Sequence, residues 1–267
     1  SRTSRTSSRT DRARRSVMLH SKIQFDPDIA ENVRLFNPFG PNMLYMSLNN
    51  NTIQKMLTVV NDLSNRQDIK DELDTTGQII QGTKAKENQK NSIVNGEIYG
   101  IHPDHLDKDD LQLITDFIHN LTLTYGEIVN THVEEDIALR DDVDAIELLK
   151  KEGKTFQAKI EAIWYVKLKA GDFHILHEHS ASGATLSGAV YLDVPDVPYP
   201  QGTINWIPPG GSNTMYNGTW GIQPKNGDVF MWPSWLLHTV FPFRGEGERI
   251  MISFNSILLT KKGDKIK

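Results

Sequence analysis

Two stretches of the chain repeat apolar residues at helical spacing. Behind Thr52, a candidate N-cap, Ile53, Met56, Leu57, Val60 and Leu63 share one face and predict a helix over 52–65. Leu111, Ile114, Ile118, Leu121 and Tyr125 form a second stripe behind Asp107, Asp109 and Asp110, predicting a helix over 110–128. Asp141 to Lys151 reads as a short third helix, and the polar residues 66–98 read as a long loop. After Gly153 the period changes. Residues 162–168 alternate and are rich in β-formers, and short strands follow over 173–179, 186–192, 203–207, 227–232, 236–241 and 248–257, separated by Gly, Pro and Asn clusters. Short strands with repeated turn signals predict a sandwich or barrel. The expected organisation is α+β. A mainly helical support region covers 17–157 and a β core covers 158–267.

Charge sets the first 16 residues apart. They carry six arginines and one aspartate, a balance of +5 against −5 for the whole chain, so the remainder stands at −10. With almost no apolar residue this segment cannot bury a core, and it reads as a disordered basic arm. It is either a solvated tail or an electrostatic contact for nucleic acid or an acidic partner. The acidic body argues against a nucleic-acid groove on the folded part. No apolar run is long enough to span a bilayer, so no membrane partner is expected. The absence of cysteine excludes disulfides and thiolate metal sites and suggests a reducing, cytoplasmic setting.

The histidines carry the candidate chemistry. Of nine, four fall in the β half: His174, His177, His179 and His238. Residues i and i+2 of a strand point the same way. His177 and His179 can therefore converge on one point, with His238 closing a three-ligand face from a neighbouring strand. Such a facial triad leaves open positions of the kind non-haem iron uses. The spacing leaves a second reading open, that of hydrogen-bonded core histidines. By the same parity His174 and Glu178 are expected to face away.

The strand ending the β half supplies the other candidate. Ile250, Ile252 and Phe254 alternate with Arg249, Met251, Ser253 and Asn255. The first set is expected against the helices and the second inside the barrel. An arginine there needs an anion, which a carboxylate-bearing ligand would supply through the guanidinium fork. The alternative is an arginine reaching solvent at the strand end.

These motifs, in this order, resemble a known family. Gly171-Asp172-Phe173 leads to His177-Glu178-His179, followed by Leu186–Leu192, Gly202–Trp206, Gly227–Val240 and Glu248–Asn255. The stretch is similar to the double-stranded β-helix (jelly-roll, cupin-like) core of the 2-oxoglutarate/Fe(II)-dependent oxygenases. The likeness is to hydroxylases of bacteria and tailed phages, and more distantly to prolyl hydroxylases. It covers about a third of the chain.

The resemblance implies Fe(II) on His177, His179 and His238, with 2-oxoglutarate and O₂ as co-substrates. It matches Arg249 and Tyr191 to residues that hold the distal carboxylate, with Ser253 and Asn255 as further co-substrate candidates. It implies hydroxylation of a small-molecule or peptidyl substrate, with release of succinate and CO₂. His179 departs from the family pattern, which has a carboxylate there, and leaves the site one negative charge poorer. Tyr216 and Trp220, in the Gly-rich stretch 208–226, are candidate substrate contacts on a lid-like loop. Two other classes compete. One is a catalytically silent scaffold or virion component tethered by the Arg-rich arm. The other is a cupin-like metal enzyme without 2-oxoglutarate, in which Arg249 and Tyr191 would lack a role.

Overall fold

The computed structural model describes residues 29–36, 42–66, 97–139, 156–207 and 219–260. The basic arm, the expected helix at 141–151, most of the expected loop 66–98 and Tyr216 lie outside the described residues. Strands β1 (Ala30–Phe36) and β2 (Met43–Leu48) precede helix α1 (Asn50–Ser64). Strand β3 (Glu97–Gly100) precedes helix α2 (Lys108–Leu139). The eight strands of the core follow: β4 (Phe156–Leu168), β5 (His174–His177), β6 (Leu186–Asp193), β7 (Ile204–Ile207), β8 (Trp220–Ile222), β9 (Asp228–Pro233), β10 (Leu237–Val240) and β11 (Arg249–Thr260).

Pairing is antiparallel throughout, in a seven-stranded sheet ordered β1-β2-β9-β6-β11-β4-β3 and a four-stranded sheet ordered β5-β10-β7-β8. Without β1, β2 and β3, two four-stranded sheets remain, between which the chain crosses repeatedly. That topology is the double-stranded β-helix.

Strand parity decides what fills each layer. On β11, Ile250, Ile252, Phe254 and Leu258 join the core under α1 and α2, while Met251 joins the core between the sheets. On β9, Val229 and Met231 face the helices, whereas Phe230 and Trp232 face the barrel interior. The helices exist because this outer face must be covered. Ile53, Met56, Val60 and Leu63 of α1 and Ile114, Ile118 and Leu121 of α2 bury the expected stripes there. The side chain of Asn49 caps α1 by accepting from the Thr52 amide at 2.9 Å, so the helix begins earlier than expected.

α2 runs to Leu139, past the expected end at 128, and three further features differ from the sequence expectation. The N-terminal portion contributes β1, β2 and β3 to the large sheet, where a mainly helical support was expected. The stretch 208–226, expected as a loop, contributes the short strand β8 from its described residues. The expected strand 173–179 ends at His177, and His179 instead opens a 3₁₀ turn over Ser180–Ser182.

Candidate metal centre

β5 and β10 run side by side, and His177 on one is the register partner of His238 on the other. Their ring centroids are 4.2 Å apart. His179 reaches the same point from the turn. Its amide donates to the Ser234 carbonyl at 2.8 Å and its own carbonyl accepts from the Ser182 hydroxyl at 2.8 Å. Its ring lies 5.0 Å from that of His177 and 5.2 Å from that of His238, with Trp164 behind it at 5.7 Å. One ring nitrogen from each of His177, His179 and His238 falls within 4.8 Å of the others. Glu178 is turned away, accepting from the Ser180 amide at 2.5 Å.

Protonation and tautomer suit a metal. The Nδ1 of His177 lies 2.7 Å from the Ile175 carbonyl and that of His238 lies 3.0 Å from the Leu236 carbonyl. A carbonyl only accepts, so Nδ1 carries the proton and Nε2 keeps its lone pair for a ligand bond. Burial pushes all three imidazoles below the ordinary histidine range. His179 falls to about 3, with His177 adding to the effect of burial. Neutral imidazole is the metal-binding form.

Arg249 enters the interior from the start of β11 and is 1% exposed. Its Nη2 donates to the Gly202 carbonyl, and Gly202 has φ +65°, with no room for a Cβ beside that guanidinium. Arg249 Nε and Nη1 have no hydrogen-bond partner, nor does the buried Tyr191 hydroxyl, whose ring centre lies 5.9 Å from the guanidinium carbon. No carboxylate is paired with Arg249 among the described residues. Burial lowers the pKa of this arginine.

The other expected residues divide. Ser253 and Tyr191 line the cavity in front of the histidines. Asn255 is buried on the same face of β11, but its side-chain oxygen accepts from the Ser187 hydroxyl at 2.8 Å. Trp220 stacks on Trp206 at 5.2 Å, against the barrel wall.

His174 corrects the parity argument. It was expected to face away from His177, yet its side chain is buried and lines the same cavity. β5 is bulged. His238 pairs with His177 and Val240 with His174, so three residues of β5 span what two span on β10. The extra residue restores His174 to the inner face. Burial, reinforced by His177 and Arg249, lowers its pKa to about 3. The sequence signal was weak: only the register with β10 reveals the bulge. Trp164 and Ser187, which also line the cavity, carried no motif that singled them out.

Residues 162–255 match the model of the family described as "Putative 2OG-Fe(II) oxygenase". No curated protein sequence matches the chain. Among solved structures, a 2OG-Fe(II) oxygenase family oxidoreductase from Burkholderia pseudomallei is 18% identical, with TM-score 0.31. That match covers 38% of this chain and 43% of that protein, so the chain spans less than half its length. A prolyl-4-hydroxylase from Pseudomonas putida is 15% identical over 80% of this chain and 91% of its own, with TM-score 0.44. The viral collagen prolyl hydroxylase of Paramecium Bursaria Chlorella virus-1, in a 2OG complex, is 13% identical over 76% and 90%, with TM-score 0.37. The fold assignment rests on the strand order itself.

Proposed function

We propose that this chain, whose residues 162–255 match a 2OG-Fe(II) oxygenase family model, is a 2-oxoglutarate-dependent dioxygenase that hydroxylates a C–H bond. The substrate is a small molecule or a peptidyl side chain. The observation that carries the reading is Arg249. A guanidinium 1% exposed, with Nε and Nη1 unpartnered and no carboxylate beside it among the described residues, is suited to an anionic ligand. The distal carboxylate of 2-oxoglutarate meets that need through the bidentate fork, and the orphaned Tyr191 hydroxyl offers it a further donor.

His177, His179 and His238 would hold Fe(II) through neutral imidazole nitrogens. When bound, iron and 2-oxoglutarate together supply O₂ activation, in which oxidative decarboxylation to succinate and CO₂ accompanies hydroxylation of the substrate. The chain's own contribution is placement. The carbonyls of Ile175 and Leu236 fix the two ring orientations. Gly202 holds the guanidinium in position. Trp164, Trp232 and Ile204 wall the cavity with apolar surface and exclude water. Three imidazoles would give the metal no negative charge, so the dianionic co-substrate would supply the charge compensation at the metal.

The scaffold reading requires a guanidinium satisfied by an acidic side chain, and Arg249 has none among the described residues. Anaerobic titration of 2-oxoglutarate into the Fe(II)-loaded protein tests the proposal. The expected result is a visible metal-to-ligand charge-transfer band. Arg249→Leu should weaken its formation by an amount equivalent to about 2–5 kcal/mol while leaving Fe(II) affinity unchanged. A protein that binds Fe(II) but shows no band at millimolar 2-oxoglutarate is not an enzyme of this class.

A further inference from the structure

His174 is the one histidine of the β core that the proposed ligand set leaves unused. The bulge in β5 turns it inward, and the Thr239 hydroxyl fixes its backbone by donating to the His174 carbonyl at 2.7 Å. The side chain is 5% exposed, and its Nε2 has no hydrogen-bond partner. It does not belong to the metal cluster, whose three nitrogens come from His177, His179 and His238. It lines their cavity together with Tyr191, whose hydroxyl is also unpartnered. Its ring centre lies 6.1 Å from that of His177, and the Arg249 guanidinium is close enough to act on it electrostatically. Among the described residues no Asp or Glu lines that cavity. The unsatisfied polar groups of the cavity wall include the Tyr191 phenol, the His174 imidazole and the Trp232 indole, with the Arg249 guanidinium next to Tyr191, all able to donate. That grouping calls for an anion with several acceptor oxygens.

We propose that His174 is a further co-substrate-binding residue, donating from Nε2 to a carboxylate oxygen of 2-oxoglutarate. This deepens the dioxygenase reading and rests on it. The bulge is then a functional feature: an unbulged β5 would point residue 174 away from the cavity, leaving Arg249 and Tyr191 as the anion's donors. His174 needs no charge for this role. The tautomer with its proton on Nε2 suffices.

The test separates co-substrate affinity from metal affinity. Fe(II) binding is measured without 2-oxoglutarate by competition with a chromophoric chelator. 2-Oxoglutarate binding is then measured anaerobically through the charge-transfer band. His174→Phe, which fills the space without a donor, should raise the 2-oxoglutarate Kd about tenfold and leave the Fe(II) Kd within about twofold. His174→Gln, which keeps a donor, should recover most of the loss. His174→Leu serves as the apolar variant if the phenylalanine protein does not fold. Unchanged 2-oxoglutarate affinity in the apolar variant overturns the inference, and so does an equal loss of Fe(II) affinity, which would make His174 a structural support of the triad. A wild-type protein that shows no band overturns the dioxygenase reading itself, and this role for His174 with it.

Discussion

His177 and His238 face each other across one rung of the β5–β10 ladder, and each is oriented by the carbonyl two residues before it. The two rings are thus set by the same local device on antiparallel strands, with both Nε2 atoms left free to bind. The pair presents two nitrogens to the proposed metal site, which His179 would complete from the turn.

Loss of one member should remove the metal rather than loosen it. His238→Ala is expected to lower Fe(II) affinity by two orders of magnitude or more, because two remaining imidazoles make no facial site. Equilibrium dialysis with metal analysis reads this directly. Retention of one equivalent of metal would show that another residue completes the set.

Gly202 supports Arg249 from outside the strand. Its positive φ alone costs an alanine about 1–2 kcal/mol, and the new methyl would meet the guanidinium. Gly202→Ala should therefore lower thermal stability and weaken 2-oxoglutarate binding, while Fe(II) affinity stays near wild type. Paired melting and titration experiments check both effects. Unaltered 2-oxoglutarate affinity would mean that Arg249 is not positioned by this carbonyl.

Acid should destabilise the metal-free protein. His174, His177, His179 and His238 all have folded pKa values depressed by burial, to about 3 for His174 and His179. The unfolded chain binds protons at these sites near pH 6.5 while the folded chain does not, so stability is present above that pH and lost as it falls. Each buried histidine contributes up to about 1.4 kcal/mol per pH unit, less for the partly exposed His177 and His179. Asp228, raised by burial, acts in the opposite sense in the carboxylate range. Urea denaturation between pH 7.5 and 4.5 should show a steepening loss below about pH 6.5. A flat profile would contradict the burial of the four rings.

One buried polar contact ties the helical layer to the barrel. The hydroxyls of Thr122 on α2 and Ser256 on β11 lie 2.9 Å apart and share a hydrogen bond. Thr122→Val should cost about 1–3 kcal/mol by orphaning Ser256, and adding Ser256→Ala should recover part of that. A double-mutant cycle by chemical denaturation measures the coupling.

Much of this arrangement could be read in the amino-acid sequence because it follows simple periods. The stripes of α1 and α2 and the alternation of β11 each place their residues by spacing alone. The stretch 17–50 reads as an irregular or β-edge opening, and β2 within it is not singled out as a strand for a physical reason. Leu44, Met46 and Leu48 face the helices while Met43 and the partly buried Tyr45 pack toward the barrel interior, so apolar residues on both faces blur the alternation. β3 and β8 are too short to carry a pattern. His174 was misplaced because parity counts residues, whereas a bulge adds one without a sequence mark. Asn255 stands on the predicted face, but a neighbouring serine satisfies it, and spacing says nothing about partners.

β5 is an outer strand of the smaller sheet, four residues long and bonded only to β10. It carries both His177 and His174. Edge strands with few bonds are the first to fray. Any opening of β5 would remove a proposed metal ligand and a proposed co-substrate donor in the same event. Affinity for both is therefore tied to one short seam of the barrel. A ligand spanning β5 and β10 would act as a clasp, so occupancy and local order would rise and fall together.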